Sequence, residues 1–421
     1  MNFSRVGRYH PILDDVSEGW LGKMRLFWKF CFCSAWLGLG LFTTRPAGFI
    51  RERLPNLPPT ARQSRVPPDS SGQATPNPFA DQTSNQGAAP APLSNLTPEQ
   101  LKFLKEIKPN EMGVVPIVEY HDIWKTENKK SLARSIEHFK HDLERMYKEN
   151  YRPISLSEYL DNKIDLPAGK SPVVLTFDDA RRSQFSYLDD GTLDPDCALA
   201  ILKAFHEKHS DFALKGMFFI LPRRSFDQKE TAEKKLHELV QLGFELGNHT
   251  VTHPHLNHLS DAKVQWEIAT CSAMLKKMVP EAKVDTLAFP GGNVPKNKKL
   301  ILNGKAEGSV YTLRAAFLAA GAPAPPPLSK KLDVLRIVRI VAVEGDGGLT
   351  DWLDEIQQGL VKRYVSDGDS KTLTTPTGYE KYIDKAKLNG MAVNAYDDKL
   401  LKEPKPKSIA EKADPKPPES N

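Results

Sequence analysis

Cysteine is scarce in this 421-residue chain, with four in all, at positions 31, 33, 197 and 271. So few, so unevenly placed, exclude a disulfide-built scaffold. Cys31 and Cys33 fall in an apolar N-terminal run. Cys197 and Cys271 lie far apart in the main body and read as buried free thiols, with a bridge between them as the alternative. Charge of one sign is also in short supply. A net charge of +5 over this length is too mild to argue for nucleic acid, and much of the lysine belongs to the C-terminal tail, so no nucleic-acid partner is expected. Internal repeats are absent. A phosphate-binding loop is absent too: Ala168-Gly169-Lys170-Ser171 imitates the end of one, but position 164 is isoleucine and a strand follows instead of a helix. No histidine occurs after His258.

What is present is an ordinary core composition, 40% hydrophobic and 26% charged, arranged in five stretches. Residues 1–23 are a short polar segment, read as cytoplasmic. Residues 24–44 contain an apolar run, 26–42, about long enough to span a thin bilayer, with Lys29 able to snorkel. No small-x-small cleavage site follows, which favours an uncleaved signal anchor over a cleaved signal peptide or a buried amphipathic helix. Residues 45–98 are rich in Pro, Ser, Asn and Gln and read as a disordered tether. Residues 99–367 form the folded domain, and 368–421 an extension that is largely disordered after 401. A helix begins at Thr97, with Pro98 at its first position and Gln100 closing a capping box.

From about Val114 helix and strand patterns alternate. Strands are expected over 114–120, 172–177, 216–221, 244–248, 286–289 and 335–343. Helices are expected over 135–150, 196–209, 231–242, 261–279, 311–320 and 349–360. The proline-rich stretch 322–327 reads as a stiff surface loop. Such alternation predicts parallel strands with right-handed crossovers. A (β/α) barrel of about seven units fits the span, and an open doubly wound sheet is the alternative. In a barrel the active residues gather at the C-terminal strand ends.

Two segments stand at such ends. Thr176-Phe-Asp-Asp179 closes an apolar strand, and His249-Thr-Val-Thr-His253 follows another. Together they offer one carboxylate and two imidazoles, the usual set for a catalytic divalent metal with an open position. Asp178 is a spare carboxylate beside them, which completes a kit for metal-assisted hydrolysis. Each segment alone has a plainer reading, an aspartate pair as a turn or cap and the histidines as an exposed loop; joint occurrence makes the case. His255 and His258 read as loop residues, Trp266 as core packing and Glu267 as a surface charge.

These two motifs resemble those of the polysaccharide deacetylase family, the NodB-homology or carbohydrate esterase family 4 domain, over roughly 114–367. The resemblance implies a distorted (β/α) barrel and removal of acetyl groups from N-acetylglucosamine polymers or, in some members, O-acetyl groups from xylan. It implies Asp178 as general base and Asp179, His249 and His253 as ligands of a divalent metal, zinc foremost, with cobalt, nickel or iron also accepted by such a site. Two family features are missing. Leu287-Ala-Phe-Pro-Gly-Gly292 keeps the proline of the third motif but lacks its arginine, and the late histidine that serves as general acid has no counterpart. Tyr120-His121 is similar to a segment of the poly-N-acetylglucosamine deacetylase branch, which implies His121 as the acid. Arg336 or Arg339 could stand in for the missing arginine, and a backbone N–H near Tyr187–Leu188 could face the oxyanion. The expected partners are an N-acetylated polysaccharide and, through the N-terminal segment, a membrane. The expected place is a bacterial envelope, with the domain outside the cytoplasm or secreted. A binding protein that has lost turnover and an O-acetyl esterase are the rival readings.

Overall fold

The computed structural model describes residues 76–79, 96–128, 132–345 and 347–401. The apolar run 26–42 and the tail beyond 401 lie outside these, as does most of the tether. Among the described residues no helix is long and apolar enough to cross a membrane.

Seven parallel strands close into a barrel: β1 (Ile117–Tyr120), β2 (Ser171–Asp178), β3 (Met217–Ile220), β4 (Glu245–Asn248), β5 (Thr286–Ala288), β6 (Ala315–Gly321) and β7 (Ile337–Val341). They pair in chain order, and β1 seals the ring by pairing with both β2 and β7. All eight residues of β2, Ser-Pro-Val-Val-Leu-Thr-Phe-Asp, are buried. Its near-continuous apolar character is what a parallel strand covered on both faces requires. A short strand, Tyr151–Pro153, pairs with the first three residues of β2, and β1 takes over from Val174 onward. β1 is thereby placed so that its end, and His121, stand level with the end of β2.

Among the described residues the helices begin with α1 (Pro98–Ile107), which carries the Thr97–Gln100 capping box read from the sequence. α2 (Ile136–Lys148), α3 (Leu156–Leu160), α4 (Ala198–Lys208), α5 (Ala232–Gln241), α6 (Asp261–Met278) and α7 (Leu349–Gln357) follow. Ser135, Ser155 and Ser260 cap α2, α3 and α6 with their hydroxyls, each satisfying an N–H that the first turn leaves open. Within the stretch read as a tether, Phe79 is fully buried and meets Phe103 of α1 edge-on at 6.1 Å.

Two expectations fail. The stretch 311–320 is not a helix: Ser309–Thr312 pairs with Asn303–Ala306 in a hairpin, and Ala315–Gly321 is β6. Alanine and leucine favour helix locally, but without this strand β5 and β7 would each expose an unpaired edge inside a closed sheet. Nor is 322–327 a surface loop. Pro323 through Pro327 are buried, Ala324 bridges to Val115, and the Tyr159 hydroxyl donates to the Pro325 carbonyl at 2.6 Å. Beyond Asp367, where the sequence pattern fades, Thr372–Pro376 and Ala392–Tyr396 form a parallel pair. The pair is fastened to the barrel by Glu111, whose carboxylate accepts from the Thr374 N–H and the Tyr364 hydroxyl.

Candidate active site

The end of β2 supplies two neighbouring carboxylates. Asp179 and Ala180 both adopt positive φ, 79° and 52°, a sharp reversal that lets Asp178 and Asp179 turn toward one cavity. The end of β4 supplies His249, and the turn that follows, with Thr250 and His253 also at positive φ, brings His253 back over it. Oδ1 of Asp179 lies 3.3 Å from Nε2 of His249 and 3.3 Å from Nε2 of His253. The three ligand atoms fall within 4.8 Å of one another.

His249 is buried, and its Nδ1 donates to the Ala288 carbonyl at 3.0 Å, which leaves Nε2 as the ligand nitrogen. That buried Nε2 has no hydrogen-bond partner of its own. An orphaned imidazole nitrogen facing a carboxylate and a second imidazole is a donor set that fits a divalent cation. Burial works to raise the pKa of Asp179, but the attraction of His249, with His121 and Arg181 behind it, holds its carboxyl far below the usual range. Burial and the neighbouring His249 push His253 down to about 4. Asp179 and His253 therefore carry lone pairs at neutral pH, while burial at His249 is outweighed by the Asp178 and Asp179 charges, which raise its pKa.

Asp178 sits deeper and is held differently. Arg339, from β7, donates Nη1 to its Oδ1 at 2.8 Å and Nη2 to its Oδ2 at 2.7 Å. The same guanidinium donates to the Thr176 hydroxyl and the Leu318 carbonyl. Burial alone would raise the Asp178 carboxyl, but Arg339 outweighs it and keeps the pKa low. Arg336 turns away and pairs with Asp333. Of the two arginines considered from sequence, Arg339 is the one brought to Asp178. His121 arrives from the end of β1, and Glu119, His121 and Asp178 offer polar atoms within 4.8 Å of one another. Gln184 ties these elements together, donating to the carbonyls of His121 at 2.9 Å and Asp178 at 2.6 Å.

Two expectations from the sequence fail here, and one residue was not foreseen. The backbone N–H groups of Tyr187 and Leu188 do not face the site: they donate to Gln228 Oε1 and the Thr192 carbonyl. Glu267 is not a surface charge. It is fully buried on α6 and accepts from the N–H groups of Val251 and Thr252 and from the Thr252 hydroxyl. It thus fixes the turn between the two ligand histidines. The signal was available, since Glu267 falls in register with the buried stripe Val264, Ile268, Cys271 and Leu275. Arg181 donates Nε and Nη2 to Asp179 Oδ2 at 2.9 and 2.7 Å, occupying the oxygen turned away from the histidines; no periodicity marks it. His255 and His258 pair with each other, rings 5.7 Å apart, outside the ligand cluster. Cys197 and Cys271 are free and buried.

Residues 165–305 match the family model described as polysaccharide deacetylase. Among solved structures, a Streptococcus pyogenes deacetylase, PplD, in complex with acetate is 21% identical, covering 56% of this chain and 97% of that one, with a TM-score of 0.43. IcaB from Ammonifex degensii is 19% identical, covering 57% and 97%, with a TM-score of 0.42. A polysaccharide deacetylase from Bacillus cereus is 16% identical, covering 54% and 64%, with a TM-score of 0.41. The matched span contains both Thr176-Phe-Asp-Asp179 and His249-Thr-Val-Thr-His253.

Proposed function

We propose that this protein is a metal-dependent deacetylase that hydrolyses the N-acetyl group of N-acetylglucosamine units in a cell-envelope or extracellular polysaccharide. The observation that carries the proposal is the pairing of the Asp179–His249–His253 cluster with a separately clamped carboxylate, Asp178. Asp179, His249 and His253 would hold the cation, zinc by the chemistry of the donor set, and cobalt, nickel or iron as alternatives. When bound, such an ion lowers the pKa of water and polarises an acyl oxygen.

The chain's own residues account for the rest. Asp178, kept ionised and oriented by the Arg339 fork, accepts a proton from the attacking water. The water oxygen bonds to the acetyl carbon and the C–N bond breaks. His121 delivers a proton to the departing nitrogen, so that acetate and a free amine leave. An amine without that proton is a poor leaving group, which makes an acid necessary for the amide and less so for an ester. Arg339 on Asp178 and His121 beside it supply counterparts to the two family features missing from the sequence, and this weighs for turnover over a binding-only protein. The apolar run 26–42 supports a membrane tether with the domain outside the cytoplasm.

The test is acetate release from a panel of N-acetylglucosamine polymers, comparing native protein with Asp178→Asn. The expected loss is on the order of 10²–10⁴ in rate. Equal release by both proteins would remove Asp178 from the base role.

A further inference from the structure

Glu119 has no task in the scheme above. Its side chain is fully buried, and among the described residues neither carboxylate oxygen has a hydrogen bond. Burying a carboxylate this way is costly unless a charge compensates it or a function requires it. Two groups come near. Arg339 Nη2 lies 3.2 Å from Oε2, and His121 Nε2 lies 3.5 Å from Oε1. The Arg339 guanidinium is already committed to Asp178 through both terminal nitrogens. The oxygen left over therefore faces the imidazole.

Glu119 and His121 stand two positions apart at the end of β1, which puts them on the same side of the strand. Nδ1 of His121 is buried and unpartnered, so Nε2 is the nitrogen turned toward Glu119. At 3.5 Å, without hydrogen-bond geometry, the carboxylate faces that nitrogen but does not bind it. That nitrogen is thus oriented without being tied up in a hydrogen bond, and stays free to meet a substrate.

We propose that Glu119 is the positioning residue of His121, its Oε1 fixing the ring so that Nε2 is the nitrogen that presents the proton to the departing amine. This rests on the reading of His121 as proton donor. In a barrel whose arginine is supplied by its last strand, the first strand and its end then supply both the donor and the carboxylate that sets it.

Three measurements test this. Glu119→Gln should slow N-deacetylation of a chitin oligomer by about 10- to 100-fold, while hydrolysis of 4-nitrophenyl acetate, whose leaving group needs no proton, stays nearly unchanged. An equal loss on both substrates would overturn the proposal, since it would mean that Glu119 acts through Arg339 and Asp178. Placed in a His121→Ala background, Glu119→Gln should cost nothing further; an additional tenfold loss has the same adverse meaning. Long-range 1H–15N spectra of the native protein should show His121 protonated at Nε2. An Nε2 without a proton, with Nδ1 alone protonated, would sink the idea without any variant, and even if the protein released no acetate.

Discussion

The two halves of the site are built on opposite plans. The ligand half is local: Asp179 comes from one short motif, His249 and His253 from another, and each motif is completed within its own loop. The turn between the histidines is braced by a single buried glutamate on the next helix. The proton-handling half is assembled from afar. Glu119 belongs to the first strand and His121 follows its end, Asp178 belongs to the second and Arg339 to the seventh. Its groups are charges buried against one another, so each is tolerable only while the others are in place. The ligand half should therefore fail site by site, the other half as a unit.

Removing the cation gives the largest effect. Dialysis against a chelator should abolish acetate release, and zinc should restore it; activity that survives would detach the ligand half from the chemistry. Next comes Arg339→Met, which strands two buried carboxylates. Unfolding in urea should show a loss of about 3–5 kcal/mol, and a loss below about 1 kcal/mol would mean that the cluster is far less interdependent than drawn. His121→Ala should cost on the order of 10²–10⁴ in N-deacetylation with the cation still bound; an unchanged rate moves the acid role elsewhere. Glu267→Gln, a change in the local half, should loosen the cation by about 10- to 100-fold in chelator competition while the urea midpoint moves little.

The smallest effect concerns a different pair. Burial and the neighbouring Asp367 charge push Glu111 well above the usual carboxylate range, and burial raises Asp367 as well. The folded state thus keeps protons that the unfolded chain has released, so stability falls as pH rises through the folded values. Glu111→Gln should flatten that slope in urea midpoints measured from mildly acidic to neutral pH; a slope unchanged would assign it to other groups.

The same contrast explains what was legible in the sequence. The barrel could be read because its strands are short apolar runs between amphipathic helices, and Thr176-Phe-Asp-Asp179 with His249-Thr-Val-Thr-His253 could be read because their chemistry is contiguous. β6 was misread, since Ala-Ala-Phe-Leu-Ala-Ala favours helix until its neighbours need a strand. Arg339 could be named only as one of two arginines, because choosing between them requires knowing that β7 lies beside β1. Glu119 showed nothing, since a glutamate in a strand looks polar and outward until the barrel closes around it. The buried face of α6 did mark Glu267, and the period of that helix was the unused information.

The guanidinium that quiets Asp178 and Glu119 arrives on the final stave of the barrel. A ribosome releases the two acids long before their counter-ion, so a nascent chain halted short of residue 337 would hold unmatched negative charge where its interior should be. Half a barrel is then no partial enzyme, and a chain cut anywhere before its closing strand should find neither shape nor turnover.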